Sequence, residues 1–340
     1  MPDNITNNIS NNPNSVAELT DIASQLPDII KIASRSSPLA MAQANEVRSH
    51  LLDIFQQANI NKPVEILPII TKGDKILNVK LNAIGGKGLF TEELEEQLLS
   101  QEVHLAVHSM KDMPVTFDKA FTISAVLPRS DIRDVFISNK YQNIADMPAN
   151  SLIGTSSTRR AALMKKYHPQ CKIVNIRGNV NTRLKKLNDN EADAIILAAA
   201  GLSRLNLSDN ITQYLPADQY IPAIGQGAIA IETLAGNVAM NQLLQYINDP
   251  TTFLLVNLER SLLAKMNGDC TTACGIYVNI LENIKNNANK IAITPDSKIA
   301  ITFFISNDQR DIIENYQTTF SESEQIIDDF AFKYQGFFDK

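Results

Sequence analysis

The sequence has 340 residues, enough for about two to three domains, and its 44% apolar and 20% charged residues are typical of a soluble globular protein. Its net charge of −6 argues against nonspecific nucleic-acid binding by the whole surface. Three cysteines do not suit a disulfide framework, so we expect a reducing, cytoplasmic location, and four histidines without an H-E-x-x-H or similar grouping give no signal of a metal site.

The N-terminal residues 1–28 are predicted to be a disordered extension, because residues 1–14 contain six Asn. The first 30 residues contain no Lys or Arg, which argues against a secretory signal or a transit peptide. No apolar run approaches the roughly 18 residues of a membrane span, so we expect no membrane partner.

Strand-like and helix-like segments alternate from residue 29. The runs "IIKIAS" (29–34), "VEILPIIT" (64–71) and "VHLAVHS" (103–109) are strand-like, whereas the segment 37–58 has helical spacing and the segment 85–100 reads as a Gly-rich loop that opens a helix. This order predicts an α/β domain with a largely parallel sheet.

A second series of the same kind begins near residue 150. Its strand-like segments are "SLIGTS", "KIVNI" and "DAIILA", and each is followed by small or polar residues and a helix start. From about residue 250, a helix, a cysteine-containing stretch, strands and a terminal helix predict a smaller α+β domain.

Charge is concentrated in the second series. Between Thr155 and Arg204 there are ten Lys or Arg and three Asp or Glu, a local net charge of +7, so the remainder of the chain carries −13. A basic island in an acidic protein favours a small anionic ligand, because the surrounding field repels a polyanion from other surfaces.

Four arginines of this island stand where strands end and helices begin: Arg159, Arg160, Arg177 and Arg183. Ligands of α/β sheets bind at such positions, and guanidinium groups bind carboxylates in bidentate fashion. The alternative interpretation is a solvated basic face, which suits the neighbouring lysines well. We favour ligand contacts for the four arginines.

Asp112 and the two cysteines of "MNGDCTTACGIYV" (266–278) are ambiguous from the residues alone. Asp112, before Met-Pro, is either a turn former or a carboxylate that stabilises a developing cation. Cys270 and Cys274 have a C-x3-C spacing, which fits neither a redox motif nor half of a zinc site. The spacing does not decide which sulfur, if either, is reactive.

Seven blocks in order resemble the porphobilinogen deaminase (hydroxymethylbilane synthase) family. They are "KIASRSSPLAMAQA", "GGKGLF", "AVHSMKDMP", "IGTSSTRRAAL", "IRGNVNTRLKKL", "DAIILAAAGLSRL" and "IPAIGQGA", and the resemblance runs from about residue 29 to 280. It weakens beyond 280, and residues 1–28 look like an addition.

The resemblance implies a transferase of porphyrin and haem biosynthesis. Enzymes of this family join four porphobilinogen molecules head to tail with loss of ammonia, and hydrolysis then frees 1-hydroxymethylbilane. The chain grows on a dipyrromethane cofactor, thioether-linked to a cysteine whose thiolate adds to an azafulvene carbon. Since each pyrrole carries an acetate and a propionate, the basic island would neutralise a growing polycarboxylate.

The resemblance also implies roles for individual residues. Asp112 matches the catalytic aspartate, and alignment through Gly275 makes Cys270 the attachment cysteine and Cys274 a packing residue. The residues implied to bind the cofactor are Ser109, Lys111, Thr155, Ser157, Arg159, Arg160, Arg177 and Gly201. Those implied to bind substrate are Arg35, Ser37, Lys87, Arg177 and Arg183, and Arg204 falls within a matching block.

The implied architecture is two periplasmic-binding-protein-like α/β domains with hinge segments near 128–132 and 222–228, plus a small α+β C-terminal domain. Its boundaries are 29–128 with 228–246, 132–222, and 250–340, the last carrying the cofactor cysteine. Two departures stand out. The cysteine loop lacks the usual Gly-Gly and Pro, and Glu92 replaces a lysine, which either weakens substrate capture or is a solvated carboxylate.

Two other classes of function remain. A two-domain protein that binds a polycarboxylate without transforming it would have the same fold and arginines, and Asp112 and Cys270 discriminate. Nucleic-acid binding by the basic island is disfavoured, because Tyr167 is the single aromatic residue there. The resemblance implies that the partner is the small molecule porphobilinogen, and we expect a monomer.

Overall fold

The computed structural model describes residues 13–75, 91–116, 118–266, 268, 272–281 and 292–338, which belong to two compact units. The described residues of unit 1 lie within 13–75, 91–129 and 228–253, and those of unit 2 within 130–227 and 254–338. None of the helices in these ranges is both long and apolar enough to cross a membrane. The three-domain division expected from the sequence stays a prediction.

The secondary structure alternates between strands and helices along the chain. In order, the first elements are α1 (Pro13–Ser24), β1 (Ile30–Arg35), α2 (Pro38–Gln57), β2 (Val64–Ile69), α3 (Lys72–Lys75), α4 (Glu92–Leu99), β3 (Leu105–Ser109), β4 (Phe121–Val126), β5 (Asp134–Ile137), β6 (Leu152–Gly154), α5 (Thr158–Tyr167) and β7 (Lys172–Val174). They are followed by α6 (Val180–Asn188), β8 (Ala194–Ala198), α7 (Ala199–Arg204), β9 (Gln213–Tyr214), β10 (Ile229–Leu234), α8 (Val238–Gln245), α9 (Pro250–Lys265), β11 (Cys274–Ile280), β12 (Lys298–Ser306), β13 (Asp311–Thr319) and α10 (Ser323–Lys333).

Unit 1 contains a five-stranded sheet in the order β2-β1-β3-β10-β4. Strands β2, β1 and β3 are parallel, and β10 is antiparallel to both β3 and β4. Pro68 lies in β2, at the edge of the sheet, where a residue without a backbone N–H is tolerated. Strand β10 thus lies at an interior position of the sheet, although it is the last of its strands in the sequence.

Unit 2 contains a five-stranded sheet in the order β7-β6-β8-β5-β9. Its strands β7, β6 and β8 are parallel, and β5 is antiparallel to β8 and β9. Both sheets therefore have three parallel strands, then one reversed strand, then a fifth that runs with the first three. In unit 2 the reversed strand is the first in sequence, whereas in unit 1 it is the last.

Unit 2 also contains an antiparallel sheet in the order β11-β12-β13, against which α10 packs. The rings of Phe303 in β12 and Phe330 in α10 stack with centroids 4.1 Å apart, and both are fully buried. The predicted fold class, two α/β sheets with a small α+β C-terminal part, is confirmed.

The N-terminal prediction is wrong in part. The Asn-rich composition predicts disorder across residues 1–28, but residues 13–24 form α1. Leu19, Ile22 and Ala23 are buried in the core of unit 1, because their three- and four-residue spacing places them on one face of α1, and Leu26, just after the helix, is buried in the same core. Residues 1–12 lie outside the described residues.

Candidate active site

The carboxyl ends of β1 and β3 lie side by side in unit 1. The strands are parallel, with Ile32 paired to Leu105, and this register brings Arg35 level with the end of β3. Ligands of α/β sheets bind beyond such strand ends. The predicted residues brought to this edge are Arg35, Ser37, Ser109, Lys111 and Asp112.

Arg35 is held by an acidic residue of the same unit. It forms an ion pair with Asp74, whose Oδ2 also accepts hydrogen bonds from Thr71 Oγ1 at 2.8 Å and from the Thr71 N–H at 3.2 Å. Burial raises the pKa of Asp74, but hydrogen bonds from Arg35 and Thr71 outweigh it and hold that pKa below its ordinary value. The carboxylate therefore stays charged and keeps the Arg35 guanidinium oriented.

Ser37 begins the next helix. Its hydroxyl accepts a hydrogen bond from the Ala40 N–H at 3.4 Å, and Pro38 occupies the first helical position, where proline is favoured. The amino end of α2 thus lies directly after Arg35, where its dipole favours an anion. The other predicted substrate-binding residue of this region, Lys87, lies outside the described residues.

Asp112 is on a single turn of 3-10 helix, Met110–Asp112, that follows β3. Met110 and Met113 are buried on either side, and the Met110 N–H donates to the Ala228 carbonyl at 3.0 Å. The Asp112 side chain is exposed and accepts no hydrogen bond from the described residues. The apolar anchors therefore fix the turn while leaving this carboxylate open to a ligand.

Two polar pairs, one partly and one almost fully buried, support this turn, and the sequence analysis did not single them out. The Ser109 hydroxyl contacts the side-chain amide of Gln43 in α2, with a distance of 2.9 Å to Nε2. His108 Nε2 lies 3.0 Å from Glu232 Oε2, and both side chains are almost fully buried. A glutamine on the apolar face of α2 and a glutamate inside the apolar run of β10 were the available signals.

The carboxyl ends of β6, β7 and β8 form the corresponding edge of unit 2. Gly154 pairs with Val174, so β6 and β7 end together, and it also pairs with Ile195, beyond which β8 continues for three residues to Ala198. The residues that follow are Thr155 and Ser157 after β6, Arg177 after β7, and Gly201 in the first turn of α7 after β8. The predicted cofactor-binding residues of this unit thus share one edge.

The loop after β6 is ordered by its own side chains. Thr155 Oγ1 accepts from the Ser157 N–H at 3.2 Å, and Ser157 Oγ accepts from the Arg160 N–H at 3.3 Å as the cap of α5. Serine at this position satisfies a backbone donor that the helix itself cannot. Helix α5 therefore begins directly after Thr155 and Ser157, two of the predicted cofactor-binding residues.

The loop after β7 requires a glycine. Gly178 has a φ of +117°, and a Cβ there would lie 2.6 Å from Thr182 Cγ2. Asn179 then caps α6 by accepting from the Thr182 N–H at 2.9 Å, and Arg183 Nε donates to the Gly178 carbonyl at 2.8 Å. This tight turn joins Arg177, after β7, to Arg183 in the first turn of α6.

Arg159 and Arg160 are buried, unlike the other predicted arginines. Both contact the Asp134 carboxylate, at 2.8 Å from Arg159 and 2.7 Å from Arg160. Burial raises the pKa of Asp134, but the two guanidinium charges outweigh it and hold that pKa far below its ordinary value. Asp134 is a residue that the sequence analysis did not identify. The ligand roles of both arginines stay a prediction.

Arg204 also has partners inside unit 2. Its Nη2 donates to Ser130 Oγ at 2.9 Å and to the Gly227 carbonyl at 3.2 Å. Arg204 thus connects the end of α7 to Ser130 and Gly227, the first and last residues of the 130–227 segment of unit 2.

The described cysteines are poor nucleophiles. Cys274 is buried as the first residue of β11, and burial raises the pKa of its thiol to about 12, although Arg159 acts in the opposite direction. Cys171 is also buried, and burial followed by the charge of Asp193 raises its pKa. Because the thiolate is the nucleophile, neither suits covalent attachment. Cys270 lies outside the described residues.

Glu92, the departure from the family pattern, has a basic partner. Its Oε2 lies 2.7 Å from Lys72 Nζ, and both side chains are exposed. The neighbouring Glu93 accepts a hydrogen bond from the Lys72 backbone N–H at 2.7 Å. The carboxylate that replaces a lysine is thus compensated by a lysine of α3, 20 residues earlier in the chain.

The chain is similar in structure to the VFT2 domain of Bordetella pertussis BvgS, with 16% identity, a TM-score of 0.41, and coverage of 72% of this chain and 95% of that one.

Comparison of the sequence with known proteins confirms the family resemblance. Residues 30–242 match the family described as porphobilinogen deaminase, dipyromethane cofactor binding domain. Porphobilinogen deaminase of Chromobacterium violaceum is 44% identical over 239 residues, 70% of this chain and 77% of that protein. That of Campylobacter hominis is 45% identical over 228 residues, 66% and 74% of the two chains. The chain belongs to the porphobilinogen deaminase family.

Proposed function

We propose that this protein joins four porphobilinogen molecules head to tail on a covalent dipyrromethane primer, releasing ammonia at each step and 1-hydroxymethylbilane after hydrolysis. It would act as a cytoplasmic monomer in tetrapyrrole biosynthesis, as a transferase of the hydroxymethylbilane synthase class. Membership of the porphobilinogen deaminase family and the names of the similar proteins support this proposal.

One observation carries the catalytic part of the proposal. Asp74 and Asp134 are neutralised by arginines, whereas the Asp112 carboxylate is exposed and accepts no hydrogen bond from the described residues. A carboxylate without internal partners can accept hydrogen bonds from pyrrole N–H groups and stabilise a cation. Asp112 is therefore the aspartate best suited to the reaction among these three.

The donor set of unit 2 fits a dipyrromethane. Such a group carries acetate and propionate side chains, so its site must supply cations and hydrogen-bond donors. The Nε atoms of Arg159 and Arg160 are buried and have no hydrogen-bond partner among the described residues. Thr155 and Ser157 add hydroxyl groups at the amino end of α5. When bound, the dipyrromethane supplies the pyrrole carbon to which the first substrate is joined.

In unit 2, we assign cofactor binding to Thr155, Ser157, Arg159, Arg160, Arg177 and Gly201. Ser109 and Lys111 of unit 1 receive the same role from their match to the family motif. The thioether is assigned to Cys270, and the burial of Cys171 and Cys274 supports this choice. A thiolate at Cys270 would form the C–S bond by adding to an electrophilic methylene carbon.

Asp112 would act on the substrate as ammonia leaves. When the C–N bond of the aminomethyl group breaks, its electron pair departs with nitrogen and positive charge develops on the pyrrole. The Asp112 carboxylate would hold the pyrrole N–H, stabilise this charge and assist the proton transfers. Arg35, Ser37, Lys87, Arg177 and Arg183 would bind the substrate's acetate and propionate groups.

The test is the intact mass of the purified protein combined with porphobilinogen consumption. The wild type should carry the added mass of two linked pyrroles, Cys270→Ser should carry none, and Cys274→Ser should be loaded like the wild type. An unmodified wild-type chain that binds porphobilinogen without consuming it would support the alternative, a non-catalytic polycarboxylate-binding protein. The similarity to porphobilinogen deaminases does not favour that alternative.

A further inference from the structure

A buried cluster of one carboxylate and two guanidinium groups lies in unit 2. The side chains of Asp134, Arg159 and Arg160 are 2%, 4% and 6% exposed, respectively. The three groups have a net charge of +1. A buried charge that is not compensated is costly, so the cluster is incomplete by one anion.

Asp134 separates the two guanidinium groups by binding one with each oxygen. Its Oδ2 accepts from Arg159 Nη2 at 2.8 Å, and its Oδ1 accepts from Arg160 Nη2 at 2.7 Å. The Gln226 amide Nε2 donates to Oδ1 at 2.9 Å and to the Ile132 carbonyl at 2.7 Å. The carboxylate therefore cannot rotate without breaking three hydrogen bonds.

Each guanidinium group has a second fixed contact with the backbone. Arg159 Nη1 donates to the Ile221 carbonyl, and Arg160 Nη1 donates to the Ile196 carbonyl at 3.0 Å. With both terminal nitrogens bound, the plane of each group is set. The two Nε–H groups are left buried without a partner among the described residues.

The position of the cluster makes a second anion favourable. Arg159 and Arg160 are in the first turn of α5, which contains no acidic residue. The amino end of a helix carries partial positive charge, so two cations there repel both it and each other. Asp134, the first residue of β5, relieves this repulsion only in part, because it supplies one negative charge for two positive ones.

We propose that Asp134 is a positioning residue that orients Arg159 and Arg160 for a carboxylate of the dipyrromethane. The inference rests on the proposed function, in which both arginines bind that group. Asp134 has two opposing effects. Its negative charge lowers the net positive charge of the cluster and so weakens the attraction for an anion. Its hydrogen bonds fix the positions of the donors that the anion meets, and in the proposal this geometric effect decides. Geometry and charge therefore predict opposite effects of removing it.

The first test compares Asp134→Asn with Asp193→Asn. Asp193, directly before β8 of the same sheet, is the control, since it pairs with Lys140 at 2.6 Å and accepts from the Leu152 N–H at 2.8 Å. Both variants lose a carboxylate with structural partners. We expect Asp134→Asn to fold, by circular dichroism and thermal unfolding, yet to be loaded with dipyrromethane at least tenfold less by intact mass. Asp193→Asn should be loaded like the wild type.

The second test separates position from charge. Arg160→Gln leaves Arg159 paired with Asp134 and a neutral cluster, whereas Asp134→Asn with Arg160→Gln leaves Arg159 unpaired from Asp134 and a net charge of +1. If charge decides, the double variant is loaded more than Arg160→Gln. If position decides, as we expect, the double variant is loaded several-fold less at a similar unfolding temperature.

Each outcome decides the proposal. Wild-type loading in Asp134→Asn, or a double variant loaded as well as Arg160→Gln, would overturn it. Failure of both Asp134 variants to fold would also overturn it, because Asp134 would then be needed for folding instead. A wild type that carries no dipyrromethane would contradict the proposed function and, with it, this inference. A wild type that carries dipyrromethane, combined with either loading result above, would contradict this inference alone.

Discussion

Arg35 and Asp74 form an ion pair at the edge of the unit 1 sheet, and Asp74 Oδ2 accepts from both Arg35 Nε and Thr71 Oγ1. The arginine predicted to bind a substrate carboxylate is thus already held by a carboxylate of the protein. Its orientation depends on a charge that is lost in acid.

Asp74→Asn should destabilise the protein by about 1 kcal/mol at pH 7, a value discounted for partial exposure of the pair. Because the pKa of Asp74 lies below its unfolded value of 3.8, the stabilisation is complete above pH 3.8 and is lost as pH falls through the folded-state pKa. Urea unfolding of both proteins at pH 7 and pH 3 checks this. An equal difference in the free energy of unfolding between the wild type and Asp74→Asn at the two pH values would contradict it. Asp28→Asn, at an exposed position, should have the same free energy of unfolding as the wild type.

Asp112→Asn should reduce turnover of porphobilinogen by about 10²- to 10⁴-fold, the usual contribution of a positioned acid–base group. Its free energy of unfolding should change by less than about 0.5 kcal/mol, because the side chain is exposed and makes no contact that stabilises the fold. Bilane formation and urea unfolding measure the two effects. Asp118→Asn, in the same connection, should turn over normally, and near-normal rates in Asp112→Asn would remove this residue from the mechanism.

Cys274 should resist alkylation in the folded protein. With a thiol pKa of about 12, only on the order of 10⁻⁴ of it is thiolate at pH 8, and the side chain is buried. Iodoacetamide treatment followed by peptide mapping should label Cys274 after unfolding in urea and not before. Rapid labelling of the native chain at this position would show that the start of β11 opens.

Gly275→Ala should destabilise unit 2 by about 1–3 kcal/mol, because the site is already close-packed. An added Cβ would lie 2.7 Å from the Pro222 carbonyl oxygen and 3.2 Å from Arg159 Cδ. Gly236→Ala is the matched control, since a Cβ there meets nothing within 4 Å. If the urea midpoints of the two variants shifted equally, the backbone near Gly275 would have to adapt to the added methyl group.

The regular elements were predictable where one pattern dominated. The interior parallel strands β1, β3 and β8 are largely buried on both faces and read as apolar runs, so they match the predicted segments closely. Helix α1 was missed because Asn-rich composition masked a short amphipathic period. Strand β13 was missed because "DIIENYQTT" is a polar edge strand without clear alternation.

The site was predictable only as far as its motifs reach. Strand ends and helix starts locate Arg35, Ser157 and Arg177 from local sequence. Other pairs at the site join residues that lie far apart in the chain: 25 residues separate Asp134 from Arg159, and 124 separate His108 from Glu232. The local sequence around a single acidic residue does not indicate which distant basic residue will form an ion pair with it.

The late return of β10 to the sheet of unit 1 has a consequence during synthesis. While residues 130–227 emerge from the ribosome, β3 and β4 cannot reach their native arrangement, because the strand that belongs between them has not yet been translated. The five strands β5–β9, in contrast, come from one uninterrupted stretch and can pair as soon as they are exposed. The sheet of unit 2 can therefore form before the sheet of unit 1 is complete, and one edge of β3 stays unpaired in the nascent chain until β10 has been translated.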